Sequence, residues 1–127
     1  MLKPGQEATV EETVTGAMTA ERLGSGDLPV LGTPAVLALV EAAAVAAVDV
    51  ALDASTTTVG ASVKLDHVAP TAVGRSVTAT AALVEVDGRR LRFRFEVTDE
   101  AGPVAHGEHP RVIVDRERFL RDTRERG

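Results

Sequence analysis

The run from Pro34 to Val48 constrains the fold of this chain most, because every side chain in it is apolar except Glu41. A helix that is apolar around its whole circumference is buried in a protein core or crosses a membrane. The run is rich in alanine, and Glu41 near its centre would cost about 2.5 to 3.5 kcal/mol on insertion into a membrane. We therefore predict a helix buried in a protein core, from about Pro34 to Leu52, and no membrane span.

Segments of alternating polarity lie on both sides of this helix, and a period of two is typical of half-buried β-strands. One precedes the helix and four follow it, at residues 8–15, 56–68, 75–88, 89–102 and 103–115. Residues 16–32 are irregular, and Asp87-Gly88 is a hairpin-turn signal between two of the strands. The charged segment from residue 116 onward is expected to form a short helix.

The order of one strand, one long helix and four strands predicts an α+β fold. In this layout one long central helix is wrapped by a curled antiparallel sheet of about five strands, an arrangement known as the hotdog fold. At 127 residues the chain is expected to form a single domain over residues 1–127. The open edge of the sheet predicts a homodimer or a tetramer.

Composition argues against several classes of function. A formal net charge of -5 and the absence of Trp and Tyr argue against binding nucleic acid. The chain has no cysteine, which excludes disulfides and suits the cytoplasm. His106 and His109, three residues apart on a strand, point to opposite faces and make a poor metal pair, so no metal site is expected. No cofactor is expected either.

Three polar side chains stand out where the pattern favours apolar ones. A buried Glu41 either reaches a partner or lines a pocket, where burial would raise its pKa and suit it to act as a general base. His67 at a strand end is structural or exposed unless Glu41 lies within hydrogen-bonding distance. Thr33 before Pro34 is expected to be the N-cap of the helix, where its hydroxyl could also bind an oxyanion.

The spacing of two of these side chains limits how they can cooperate. Thr33 and Glu41 are eight residues apart, which is about 12 Å along a helix axis. Direct contact between them within one chain is therefore not expected. A site that uses both residues is expected at the seam of a dimer.

This chain resembles hotdog-fold thioesterases of the fluoroacetyl-CoA thioesterase type in two spacings between residues. One is a Thr eight residues before a Glu on the central helix, here Thr33 and Glu41. The other is a Gly seven residues before a His, here Gly60 and His67. The segment GEHPR at residues 107–111 is also similar, and the resemblance extends from the first strand to the segment VIVDRERF.

The resemblance implies a thioesterase that hydrolyses a small acyl-CoA to the free acid and coenzyme A. It implies a catalytic set of Thr33, Glu41 and His67. It also implies that Gly60 lies against the acyl group and that Arg111 lies near the active site. Leu28 stands where the fluoroacetyl-specific member of the family has an aromatic lid residue, so a role in substrate binding is implied and the acyl group stays open.

Two mechanisms fit these residues. Thr33 attacks the thioester with His67 as base while Glu41 activates water, or Glu41 or His67 directs water at the carbonyl while Thr33 holds the oxyanion. Two other functions remain open, a non-catalytic acyl-CoA binding hotdog module and another hotdog enzyme such as a hydratase or dehydratase. The Asp-x-x-x-x-His signature of that last class is absent.

Overall fold

The computed structural model describes all of residues 1–127 and contains six strands, three α-helices and two short 3-10 turns. The strands are β1 (Glu7–Thr13), β2 (Thr56–Gly60), β3 (Lys64–His67), β4 (Ser76–Asp87), β5 (Arg90–Asp99) and β6 (Gly102–Asp115). The helices are α1 (Ala20–Leu23), α2 (Thr33–Val48) and α3 (Arg116–Arg126), with 3-10 turns at Gly16–Met18 and Asp49–Ala51.

All six strands join one antiparallel sheet in the order β1-β4-β5-β6-β2, and β3 pairs with the other half of β6 beside β2. The sheet curls around α2, which packs mainly against β1 and β4. The alternation predicted for β5 is confirmed, since Leu91, Phe93, Phe95 and Val97 are all buried. The predicted α+β layout of one long helix and a wrapped sheet is therefore confirmed.

Nineteen buried apolar residues form one cluster between α2 and the sheet. It includes Phe93 and Phe95 from β5 and Val36 and Val40 from α2. The single domain over residues 1–127 stays a prediction, with this one cluster in its favour.

The expectation that α2 is buried around its whole circumference is wrong. Seven of its residues are buried, namely Val36, Leu39, Val40, Ala43, Ala44, Ala47 and Val48. Ala38, Ala42 and Ala46, spaced four residues apart, are exposed together with Val45. We call these four residues the exposed stripe. By length and composition the segment Thr33–Ala51 could cross a membrane, with a mean hydropathy of 1.9, but its buried residues pack into the core cluster.

The strand predicted at residues 56–68 is two strands, which raises the expected five strands to six. Gly60 pairs with Arg111 and Lys64 pairs with Glu108, so three residues stand opposite two at this point of β6. The amides of Ala61 and Ser62 both donate to the carbonyl of Pro110, at 3.1 and 3.4 Å. Because proline has no N–H to donate in return, the ladder is interrupted here.

The remaining boundaries differ from the predicted ones by a few residues at most. The segment 16–32, predicted as irregular, contains the short helix α1. Gly88 has a φ of 61° and follows β4 directly, as the predicted hairpin turn requires. Helix α3 confirms the prediction of a short C-terminal helix, and the Asp115 side chain caps it by accepting from the Arg118 amide at 3.0 Å.

Candidate active site

Thr33 is the first residue of α2 and pairs with His67 at the end of β3. The expectation that Thr33 is the N-cap is wrong, because the extended residue before the helix is Gly32 and no side chain caps this terminus. The Thr33 hydroxyl oxygen lies instead 2.9 Å from His67 Nδ1. A hydroxyl and an imidazole at this distance can exchange a proton.

The second ring nitrogen of His67 has no partner in the chain. His67 Nε2 is buried and makes no hydrogen bond. Buried polar atoms without a partner are rare in folded proteins, and each one calls for an explanation such as a bound molecule. An open, mostly apolar surface pocket of about 250 Å³ adjoins His67 and is lined by Val30, Leu31, Val68, Ala69 and Pro70.

Glu41 lies at the boundary between α2 and the end of β2. Its side chain is 42% exposed, so the expectation of a buried carboxylate is wrong. One carboxylate oxygen, Oε2, accepts a hydrogen bond from Arg111 Nη1 at 3.2 Å. Neither Thr33 nor His67 bonds to this carboxylate. The other oxygen, Oε1, makes no hydrogen bond within the chain, which leaves it available to a water molecule.

Arg111 is the buried charge that holds this carboxylate. Its side chain is 6% exposed. Its Nε donates to the Thr58 hydroxyl and its Nη2 to the Thr58 carbonyl, each at 2.9 Å. Burial lowers the pKa of the Arg111 guanidinium and the Glu41 carboxylate raises it. Arginine nevertheless stays charged in proteins, so Arg111 fixes Glu41 by a charge-assisted hydrogen bond.

Gly60 provides the space in which the Glu41 carboxylate lies. A Cβ atom at this position would stand 2.7 Å from Glu41 Oε2, 3.3 Å from His109 Cε1 and 3.4 Å from Arg111 Nη1. The first distance is shorter than real Cβ contacts allow, so any side chain at residue 60 must displace the carboxylate. In this chain Gly60 therefore serves the placement of Glu41.

The predicted site residues form two groups. Thr33 and His67 make the Thr33 half-site, whereas Glu41, Gly60 and Arg111 make the Glu41 half-site. Eight helical residues separate the two groups by about 12 Å along the axis of α2 and by about 80° around it. The structure therefore confirms that Thr33 and Glu41 do not meet within one chain.

Leu28 belongs to neither half-site within the chain. It lies in the loop that leads to α2 and is 62% exposed. Its side chain is therefore accessible to a molecule that approaches the Thr33 end of the helix.

Sequence reasoning missed His109, which adjoins the Glu41 half-site. Its side chain is 3% exposed, whereas His106 is exposed, so the prediction that these two point to opposite faces is confirmed. Its Nδ1 lies 2.7 Å from the Ser62 carbonyl oxygen and its Nε2 lies 3.1 Å from Arg111 Nη1. The signal that could have found it is the two-residue spacing from Arg111, which places both side chains on the same face of β6.

Burial lowers the pKa of His109 below its usual range, and the positive charge of Arg111 lowers it further. The bond with the Ser62 carbonyl and the charge of Glu41 oppose this shift. The lowered pKa favours the neutral form of the His109 imidazole.

Known proteins are similar to this chain in sequence and in fold. The family model described as fluoroacetyl-CoA-specific thioesterase matches residues 14–117. The fluoroacetyl-CoA thioesterase of Streptantibioticus cattleyicolor is 32% identical over 97 residues, which cover 76% of this chain and 70% of that protein.

Solved structures extend the similarity to nearly the whole fold. A crystal structure of a variant of the fluoroacetyl-CoA-specific thioesterase FlK, in complex with fluoroacetate and CoA, has a TM-score of 0.88 and 28% identity. The match covers 93% of this chain and 99% of that one. A hot-dog-like protein from Thermanaerovibrio acidaminovorans has a TM-score of 0.90 and 27% identity, over 98% of this chain and 93% of that one. The predicted hotdog fold is confirmed, and the chain belongs to the fluoroacetyl-CoA-specific thioesterase family.

Proposed function

We propose that this acyl-CoA thioesterase uses Thr33 as the nucleophile that attacks a small acyl-CoA thioester. The observation that carries the proposal is the 2.9 Å separation of the Thr33 hydroxyl oxygen and His67 Nδ1. A hydroxyl becomes an effective nucleophile when a base lies within hydrogen-bonding distance of it. The products are the free acid and coenzyme A.

The first step forms an acyl-enzyme. His67 Nδ1 takes the proton of the Thr33 hydroxyl while its oxygen bonds to the thioester carbon. The tetrahedral adduct collapses with cleavage of the carbon–sulfur bond. Coenzyme A leaves as the thiol after receiving the proton from His67, and the acyl group remains as an ester of Thr33.

The second step returns the enzyme to its starting state. Glu41 takes a proton from a water molecule at Oε1 while the water oxygen bonds to the ester carbon. The bond from that carbon to the Thr33 oxygen then breaks. The Thr33 oxygen takes up the proton that Glu41 had received, which restores both side chains, and the free acid leaves.

The first turn of α2 supplies a backbone N–H for the negative charge that develops on the carbonyl oxygen of the thioester. Pro34 has no N–H, and the amides of Ala35 and Val36 donate to the Gly32 carbonyl at 3.0 and 3.1 Å. The remaining amide of the first turn is that of Thr33, at the positive end of the helix dipole. We assign the oxyanion to this amide.

The water-activating step requires a second chain, because Thr33 and Glu41 lie too far apart in one. We propose a homodimer, alone or within a tetramer, in which two α2 helices pack antiparallel across a two-fold axis beside Leu37. Residues 33 and 41 are equally distant from residue 37. Such an axis therefore brings the Thr33 half-site of one subunit to the Glu41 half-site of the other.

One observation at the Thr33 end of α2 supports this assembly. The buried Nε2 of His67, which has no partner within the chain, lies in the half-site that the second subunit would complete.

We also propose a small acyl group, a cytoplasmic location and no role for a membrane. The similarity to a fluoroacetyl-CoA thioesterase supports a short acyl chain. Leu28 is exposed and lies two residues before Val30, which lines the open pocket beside His67. The absence of cysteine and the core packing of α2 support the location. Recovery of the protein in the membrane fraction of lysed cells would contradict both the location and the absence of a membrane.

Loss of Glu41 or Thr33 is expected to abolish most of the thioesterase activity. Glu41→Gln and Thr33→Ala should each lower kcat by about a hundredfold to ten-thousandfold, as loss of acid–base or nucleophilic chemistry predicts. Release of free thiol from acetyl-, fluoroacetyl-, butyryl- and phenylacetyl-CoA measures the rate. Glu125→Gln and Thr98→Ala make the same chemical changes at exposed positions and should leave kcat unchanged.

The same variants separate the two mechanisms, and measurements of CoA-ester binding and of enoyl-CoA hydration separate the alternative functions. A small effect of Thr33→Ala beside a large effect of Glu41→Gln would overturn the acyl-enzyme in favour of direct attack by water. Binding of the CoA esters without hydrolysis would identify a binding module, and hydration of an enoyl-CoA would identify a hydratase.

Gly60→Ala is expected to impair catalysis more than folding. The new methyl group meets the flexible end of the Glu41 side chain, so the protein should fold while the carboxylate moves away. A displacement of about 1 Å can cost up to about a hundredfold in rate, and we expect kcat to fall between tenfold and that value. Gly16→Ala, at a position with free space around it, is the matched control, and equal activity of the two variants would contradict this role of Gly60.

A shared site predicts that two inactive variants restore activity when they are mixed. Subunits of Thr33→Ala and Glu41→Gln, unfolded and refolded together, should regain about a quarter of the wild-type rate, because half of the dimers are mixed and each mixed dimer has one intact site. Thr33→Ala with His67→Ala, both in the same half-site, should regain none. A monomer in light scattering, or no recovery in the first mixture, would exclude the shared site.

A further inference from the structure

His109 is a buried titratable side chain that the proposed reaction does not use. It lies on β6 between the Ser62 carbonyl and the Arg111 guanidinium, and its side chain is 3% exposed. Its Nε2 is 3.9 Å from Glu41 Oε2, too far for a hydrogen bond. The hydrogen bonds that connect a neutral His109 to Glu41 therefore pass through Arg111.

The two neighbours of His109 determine which ring nitrogen carries its proton. The Ser62 carbonyl can only accept, so Nδ1 must carry the hydrogen in the 2.7 Å contact with it. Arg111 Nη1 can only donate, so Nε2 must present its lone pair in the 3.1 Å contact with it. Both contacts are satisfied by the same neutral imidazole, which is the form that burial and the charge of Arg111 favour.

The break between β2 and β3 explains why Ser62 needs this donor. Its carbonyl lies in the interrupted part of the ladder, beside Pro110, which has no N–H to offer. The His109 side chain supplies the missing hydrogen bond. The strand break thereby fixes the imidazole in position and presents its other nitrogen to Arg111.

The Arg111 guanidinium donates hydrogen bonds to Thr58 along one edge, and its Nη1 donates to two other acceptors. Nε and Nη2 donate to Thr58, and Nη1 donates to both His109 Nε2 and Glu41 Oε2. The acceptor on His109 thus orients the same nitrogen that holds the catalytic carboxylate. We propose that His109 is a positioning residue for Glu41 that acts through Arg111, an inference that rests on the proposed function of Glu41.

Protonation of His109 would remove the acceptor that its Nε2 offers to Arg111. The charged groups that face its ring are Arg111 from β6 and Glu41 from α2. An imidazolium would direct an N–H at the Arg111 guanidinium and attract the Glu41 carboxylate. We therefore expect the acid limb of the wild-type kcat profile to include an inflection from His109, which a variant without an ionisable side chain lacks.

Two substitutions separate the two hydrogen bonds of His109. The amide of His109→Gln reaches the position of Nε2 and keeps an acceptor for Arg111, whereas that of His109→Asn reaches Nδ1 and keeps only the donor to Ser62. We expect His109→Gln to retain kcat within about threefold and to lose the acid inflection. We expect His109→Asn to lower kcat by about tenfold or more with KM unchanged, because misplaced catalytic groups cost rate.

A purely structural role predicts a different result, in which both variants lose activity in proportion to their loss in Tm. That result, or a change in KM alone, would overturn the inference. Nitrogen-15 NMR of the histidine rings provides a test that is independent of activity. A proton on Nε2 of His109 instead of Nδ1 would also overturn it.

If the proposed catalytic role of Glu41 is wrong, the rates of the variants differ in another way. In that case Glu41→Gln itself leaves hydrolysis unchanged, whatever the His109 variants do. If Glu41 is catalytic and His109 positions it, His109→Asn should cause no further loss of kcat in the Glu41→Gln background. An additional tenfold loss there would show that His109 acts elsewhere.

Discussion

A guanidinium with almost no exposed surface must find an acceptor for nearly every N–H it carries. The contacts of Arg111 with Thr58, Glu41 and His109 account for four of its five donors. This requirement links two strands, β2 and β6, and the central helix at a single point. It brings a carboxylate to the end of β2, and the close approach is possible only because residue 60 has no side chain.

The sequence was sufficient for those parts of the fold that depend on local patterns. Residues close together in the sequence determine three of these features, namely the alternation in β5, the turn at Asp87-Gly88 and the long apolar helix. The break after Gly60 could not be predicted in this way, because it depends on Pro110, about fifty residues further along the chain. The exposure of the stripe on α2 could not be predicted either, since alanine is common both on helix surfaces and in cores.

The residues of the candidate site were less predictable from the sequence than the fold. Glu41 stood out because a charge interrupts an apolar helix, but Gly60 and Arg111 were implied only by resemblance to a family. The pairing of Thr33 with His67 is a contact between residues thirty-four positions apart. The two-residue spacing of His109 from Arg111 indicates only that both side chains share one face of β6. The role of His109 depends on neighbours that only the folded sheet assembles.

The distance between Thr33 and Glu41 along α2 has a consequence for the concentration at which the protein works. In the proposed dimer each protomer alone lacks half of the chemistry, so the active fraction follows the association equilibrium. Near the dissociation constant of the dimer, the rate rises more steeply than in proportion to total protein. Dilution would then switch the enzyme off without unfolding it, and the cellular abundance of the chain would set its specific activity as well as its amount.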